Sequence, residues 1–228
     1  NFAAGVVRPI DPRLDWTVGR DNAPYKDWGV HKRSWIRDAS YSGPYSPKKH
    51  IHEASDAATN ENNVGWVPTQ TNNVSIHLFR YADMLLLLAE AEVEVGTLAN
   101  ALAIVNQIRA RASQTAQGCG SADTTVTNRY PSCVGNTTMA APLVQAAAYD
   151  SLTTPWAVYR IGQYASFPSQ AFARQAVRYE RRLELAMEGQ RFFDLRRWGG
   201  ADTTIANYIA SERTRIPYLT LATAFTLP

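Results

Sequence analysis

The densest run of chemistry-bearing side chains in this 228-residue chain is VRYERRLELAMEGQRFFDLRRWGG, from Val177 to Gly200. Glu180, Glu184 and Glu188 recur at i, i+4 and i+8, a row of carboxylates on one side of a helix, and Arg191 falls one turn beyond Glu188 with Asp194 close by. Two carboxylates of such a row could divide acid and base roles in glycoside hydrolysis, or join a carboxylate metal site. The neighbours favour a third role. Seven arginines stand between Arg174 and Arg197 against four acids, so an internal ion-pair network of Glu180, Glu184, Glu188, Arg191 and Asp194 is expected instead. Leu183, Leu185, Met187, Phe192 and Leu195 leave no clean polar face at a period of 3.6, which predicts a helix enclosed by other helices. Charges so enclosed must be paired. Gly189 is either the residue just past a helix end or a point of close backbone approach.

A second cluster, KKHIHE, places His50, His52 and Glu53 together. It lacks the i, i+4 spacing with which a helix presents two zinc-binding histidines, and Lys48 and Lys49 flank it, so no metal is expected there. The chain contains no G-x-S-x-G elbow, no phosphate-binding Walker loop and no G-x-G-x-x-G. With none of these enzyme signatures present, no cofactor is expected. Cys119 and Cys133 flank a stretch rich in Gly, Ser, Thr and Asn. A disulfide between them would close a loop of about 15 residues, worth on the order of 3 kcal/mol, in an oxidising compartment; two unrelated thiols are the alternative.

The elements that would position these groups divide the chain unevenly. Residues 1–75 carry prolines at 9, 12, 24, 44, 47 and 68, and no helical period survives three turns. Yet they hold Trp16, Tyr25, Trp28, Trp35, Tyr41, Tyr45 and Trp66, too many aromatics for a disordered arm. These rings either pin an extended segment onto a helical body or form a ligand platform. A helix is expected from about Ser75, with Leu78, Tyr81, Leu85, Leu88, Glu92 and Val95 on its row and Gly96 as its stop. A second follows, with Leu98, Ala101, Leu102, Val105, Ile108 and Ala112 repeating at 3 and 4, so residues 76–112 read as an antiparallel helical hairpin like a tetratricopeptide unit. Residues 113–141 read as a polar loop and 142–228 as a helical part. Within it a short extended segment precedes a long helix starting at Ser169, and another helix spans Ala201 to Glu212. The net charge of +3, with acids and bases interleaved, argues against nucleic acid as a partner. The most apolar run, Met84 to Ala89, is far too short to span a membrane.

Three stretches together resemble the SusD/RagB family of surface nutrient-binding lipoproteins. They are DPRLDWTVGRDNAPYKDWG at 11–29, LFRYADMLLLLAEAEVEVG…ALAIVNQIRARA at 78–112, and AVRYERRLELAMEGQRFFDLRRWG at 176–199. The resemblance covers most of the chain, and the third stretch is its most specific part. It implies a mostly α, SusD-like fold of tetratricopeptide-like hairpins with long irregular loops. It also implies non-catalytic capture of oligosaccharides, or of peptides, at the outer-membrane surface, and delivery to a SusC-like TonB-dependent transporter. The lipid anchor would lie outside this chain, in an absent N-terminal portion.

No sugar-site signature carries over from the family, so candidate ligand residues rest on chemistry. A sugar offers a C–H face to an aromatic ring and a rim of hydroxyls to planar polar groups. Trp35, Tyr41, Tyr45 and Trp66, with Arg37, lie outside the family stretches and are the expected ligand contacts, whereas Trp28 belongs to one and is expected to be structural. The competing readings are a tetratricopeptide-like structural adaptor within an outer-membrane complex and a helical glycoside hydrolase.

Overall fold

A computed structural model of the chain describes residues 6–23, 25, 28, 30–51, 74–113, 157–159, 161–216 and 219–220. The described part is mostly helical, as the resemblance implies. Its centre is an antiparallel hairpin of α3 (Tyr81–Val95) and α4 (Leu98–Ser113). The turn between them is set by Glu92, whose Oε2 accepts the Thr97 amide at 3.0 Å and the Asn100 side-chain amide at 3.1 Å, while Thr97 Oγ1 accepts the Asn100 amide at 3.1 Å. Gly96 is needed because a Cβ there would lie 2.1 Å from Glu92 Oε2 and displace that capping carboxylate.

Helix α5 (Gln170–Glu184) packs against both arms of the hairpin. Its start is fixed by Ser169, whose hydroxyl accepts the Phe172 amide at 3.2 Å. Small residues at the crossing allow close approach: Ala89, Ala101, Ala173 and Ala176 are buried there with Val93, Val105, Phe167 and Val177. Asn106 ties the incoming chain to the hairpin, donating to the Tyr164 carbonyl at 2.9 Å and accepting its amide at 2.8 Å.

Three expectations need correction. The first helix begins at Tyr81, not near Ser75; Arg80 is extended (φ −125°, ψ 155°) and turns its side chain toward Glu184 and Glu188. The expected row is not the buried one. Of it Leu78, Tyr81, Leu88 and Val95 are exposed and Leu85 and Glu92 half-buried, while Asp83, Leu86, Ala89 and Val93 are buried. Helix α3 is apolar on two sides, so periodicity alone does not choose between them. The alanine-bearing side fits the close crossing, and Asp83 goes inward because Arg181 meets it. Finally, the long helix is broken. It stops at Glu184, passes Met187 (φ 63°) and Gly189 (φ 81°), and resumes as α6 (Gln190–Arg197). Nothing lies within 4 Å of where a Gly189 Cβ would be, so this glycine serves the left-handed backbone before α6 rather than a close approach. Helix α7 (Ala201–Glu212) follows.

The segment before the hairpin consists of short pieces wrapped onto this body. Strand β1 (Val6–Ile10) pairs in parallel with β4 (Ala157–Tyr159). Helix α1 (Arg13–Thr17) leads into β2 (Val18–Gly19), which is antiparallel to β3 (Ser46–Pro47). Between these strands lie a 3-10 turn (Arg33–Trp35) and α2 (Ala39–Ser42), whose first turn is capped by Asp38. The segment is anchored by buried polar groups rather than an apolar face: Arg13, Asp15, Thr17, Arg20 and His31 are all buried. Among the described residues no helix is long and apolar enough to cross a membrane. Cys119, Cys133, His52, Glu53 and Trp66 lie outside the described residues.

The two sides of α3 should differ sharply in a urea titration. Leu86→Ala, at a fully buried site, is expected to cost about 2–5 kcal/mol. Leu88→Ala, at a site 49% exposed, is expected to stay within about 0.5 kcal/mol. Equal losses would refute the observed facing of the helix.

Candidate functional site: an arginine–carboxylate column beside a cleft

The carboxylates of α5 do find cations, but mostly from elsewhere in the chain. Glu180, fully buried, receives Arg13 Nη1 on one oxygen at 2.7 Å and Arg109 Nη1 on the other at 2.8 Å. Glu184 receives Arg111 Nη2 at 2.5 Å and Arg80 Nη1 at 3.1 Å on Oε1, and Arg13 Nη1 at 3.0 Å on Oε2. Glu188, past the end of α5, receives Lys49 Nζ at 2.5 Å and Arg80 Nε at 2.7 Å. The Glu184 carbonyl, at the C-terminal end of α5, also accepts from Lys49 at 3.1 Å and Arg80 at 3.0 Å. That end of the helix carries partial negative charge, which suits two cations. Asp11 occupies the rest of Arg13 through Nε at 3.0 Å and Nη2 at 2.7 Å.

A second knot ties α6 to α5 and α3. Arg181 Nε bonds Asp194 at 2.9 Å, and its Nη1 lies 2.8 Å from Asp83 Oδ1, an ion contact without hydrogen-bond alignment. Arg197 bridges Asp194, at 2.8 Å, and Glu90. Arg191, expected within the network, lies instead over the Trp198 ring, 5.6 Å from its centroid, beside Arg178 at 4.8 Å. The break between α5 and α6 takes Arg191 off the row that a continuous helix would have formed.

Protonation follows from these contacts. Burial pushes the Glu184 carboxyl up, but Arg111, Arg13 and Arg80 outweigh it and hold the group below its ordinary range. Glu188 behaves alike: burial raises it, and the bonds from Arg80 and Lys49 bring it below. The Lys49 ammonium shifts down as well, because burial and the like charge of Arg80 outweigh Glu188. The two partners of this pair thus move the same way, since Glu188 is shared by two cations whereas Lys49 sits beside a competing one.

The column forms one wall of a cleft of about 420 Å³. Lys49, Arg80, Arg111, Glu184 and Glu188 line it on that side. Trp16, His50 and His77 also line it, the two imidazoles 6.2 Å apart between centroids. Among the described residues no group of three or more His, Cys, Asp or Glu side chains is placed to hold a metal.

The aromatic candidates lie in a separate corner. Trp35 is 46% exposed and meets Tyr25 and His31 edge-on, at centroid distances of 5.9 and 5.4 Å. Tyr25 donates its hydroxyl to the Pro47 carbonyl, and burial pushes its phenol up to about 12. His31 Nε2 lies 2.9 Å from Ser46 Oγ, and burial holds the imidazole below its ordinary range. Tyr45, half-buried, precedes Ser46, and Arg37 is exposed. Tyr41 falls in α2, but its side chain lies outside the described ones. Trp28 is half-buried, its amide donating to the Tyr25 carbonyl at 3.1 Å.

Residues 7–218 match the model of the SusD family. The chain belongs to the SusD family. The match embraces the column, both walls of the cleft and the aromatic corner. Comparison with curated proteins gives no match. SusD-family proteins are non-catalytic binding proteins associated with the outer membrane, where they bind nutrients, glycans among them, and work with outer-membrane transporters. Sequence reasoning picked out the acids of the SusD column but not the cations that answer them. Arg13, Lys49, Arg80, Arg109 and Arg111 stand apart in the sequence, and the only signal for four of them is their place inside or beside the two other family-like stretches.

Two outcomes test the column. Glu180→Gln removes the charge that both Arg13 and Arg109 share and turns an amide NH2 toward one of the two guanidiniums, so it is expected to cost about 3 kcal/mol or more, whereas Glu94→Gln, at an exposed pair with Arg174, should leave the urea midpoint unmoved. Because the Glu184 and Glu188 carboxyls lie below their unfolded values, they stabilise the fold fully above about pH 5 and lose that contribution as pH falls through about 4 and below. Urea midpoints across that range should fall in the wild type, and fall less in Glu188→Gln.

Proposed function

We propose that this protein captures an oligosaccharide at the cell surface and passes it, without turnover, to a SusC-like TonB-dependent transporter in the outer membrane. Ligand contact is assigned to the loop-rich segment before the hairpin, through Trp35, Tyr41, Tyr45 and Trp66 with Arg37. The observation that carries this reading is Trp35, a ring left 46% exposed while held in T-shaped contact with Tyr25 and His31. A braced, half-open indole loses little freedom on meeting a pyranose face, the property a stacking platform needs. A peptide ligand is the alternative within the same role.

A second reading, a structural adaptor, draws on the outward side of α3. There Met84, Leu87, Leu88 and Val95 are exposed together, a surface suited to another helix.

A binding screen of the protein against a glycan panel separates the two. Trp35→Ala should weaken the glycan found at least ten-fold, about 1.4 kcal/mol, while the protein remains folded. Copurification of a large outer-membrane barrel with the protein is the expected sign of the transporter partnership. Retained affinity in Trp35→Ala would remove that ring from the site, and a protein that binds no glycan or peptide but still copurifies with the barrel would be an adaptor.

A further inference from the structure

The charged cleft has a chemistry distinct from that of the aromatic corner. It is lined by four cations, Arg13, Lys49, Arg80 and Arg111, against two carboxylates, Glu184 and Glu188. Arg13, which also reaches Glu184, is answered separately by Asp11 and Glu180. The wall therefore keeps a positive surplus. The surplus is centred on Arg111, because Glu184 is already shared with Arg13 and Arg80. The Arg111 side chain is 52% exposed and spends a single nitrogen, Nη2, on Glu184. By contrast, Arg80 uses Nε, Nη1 and Nη2 on Glu184 and Glu188. Among the described residues no partner takes Arg111 Nε or Nη1, so the planar fork that matches a carboxylate keeps open donors. The same cleft is lined by the Trp16 indole, one turn along α1 from Arg13, and by the imidazoles of His50 and His77. A cleft of about 420 Å³ is within the size of small-ligand sites.

A flat apolar ring, a guanidinium with open donors and two imidazoles describe a site for an acidic sugar. The indole covers the C–H face of the pyranose, Arg111 holds its carboxylate, and the imidazoles answer its hydroxyls. We infer that this cleft binds a hexuronate unit of an acidic oligosaccharide, with Arg111 as its carboxylate anchor. The inference rests on the reading of the protein as a glycan-capturing one and names the ligand class of a second contact region within it. A carboxylate could also come from a peptide, so the sugar must be tested apart from the charge.

Isothermal titration calorimetry with tri-galacturonate, its fully methyl-esterified form and tri-glutamate makes that separation on the wild-type protein. Tri-galacturonate should bind at least ten-fold more tightly than either comparison. Arg111→Gln should lower its affinity at least ten-fold, while Arg111→Lys, which keeps the charge and loses the fork, should fall between. The wild-type comparison needs no variant, so the proposal stays open to refutation even if Arg111→Gln loosens the column. Equal affinity for acid and ester, or no saturable binding of tri-galacturonate, overturns it. Equal affinity for tri-glutamate overturns the sugar and leaves a carboxylate site. If a neutral glycan binds through Trp35 while tri-galacturonate fails, the capture function stands and this inference falls; if no glycan binds at all, both fall.

Discussion

Three carboxylates in a row, met by five cations drawn from four stretches of chain, are the constraint on which the rest of the structure depends. Glu180, Glu184 and Glu188 belong to α5 and the turn after it. Arg13 comes from α1, Lys49 from the turn after β3, Arg80 from the entry to α3, and Arg109 and Arg111 from the end of α4. Desolvating so many charges costs about as much as their attraction returns, so the column is weak as a source of net stability. Its value is positional. A cation displaced by one turn leaves a buried carboxylate unanswered, so each contributing segment is held to one register against α5.

This arrangement also explains how much of the molecule could be read from its sequence. The hairpin was legible because helical period, alanines and a glycine stop agree there. The acids were legible because i, i+4 spacing is a local property of one helix. Their partners were not, because an ion pair between Arg13 and Glu180 spans 167 positions and leaves no local pattern in either stretch. The side of α3 that faces inward was misjudged for a related reason. Both sides are apolar, and the choice is made by Arg181 of α5, which meets Asp83, and by small residues on α4 and α5, none of which belongs to α3's own periodicity. The break after Glu184 was half legible: Gly189 marked it, but Met187 in a left-handed conformation did not.

The aromatic residues before the hairpin were legible as a group, whereas their surroundings were not: Trp35 is exposed and in contact with Tyr25 and His31. The cleft could not have been found from composition, since Trp16, Lys49, His77 and Arg111 meet only after the helices pack. One short piece of chain joins the two regions. Ser46 and Pro47 in β3 hold His31 and Tyr25 behind Trp35, and two residues later Lys49 reaches Glu188. The aromatic corner and the charged wall are therefore mounted on the same strand and turn.

The parallel pairing of β1 with β4 carries a consequence for how such a chain comes to be folded. Val6 lies opposite Ala157, and the Arg13 that follows β1 waits for acids that are made later still. During synthesis the first fifty residues leave the ribosome long before either partner exists, while the α3–α4 hairpin closes on local contacts alone. Order therefore has to spread backward along the chain, from hairpin to α5 and only then to the N-terminal segment. Topology of this sort makes closure late and slow. The contacts around Trp35, by contrast, all lie within residues 25–47 and need neither β4 nor α5.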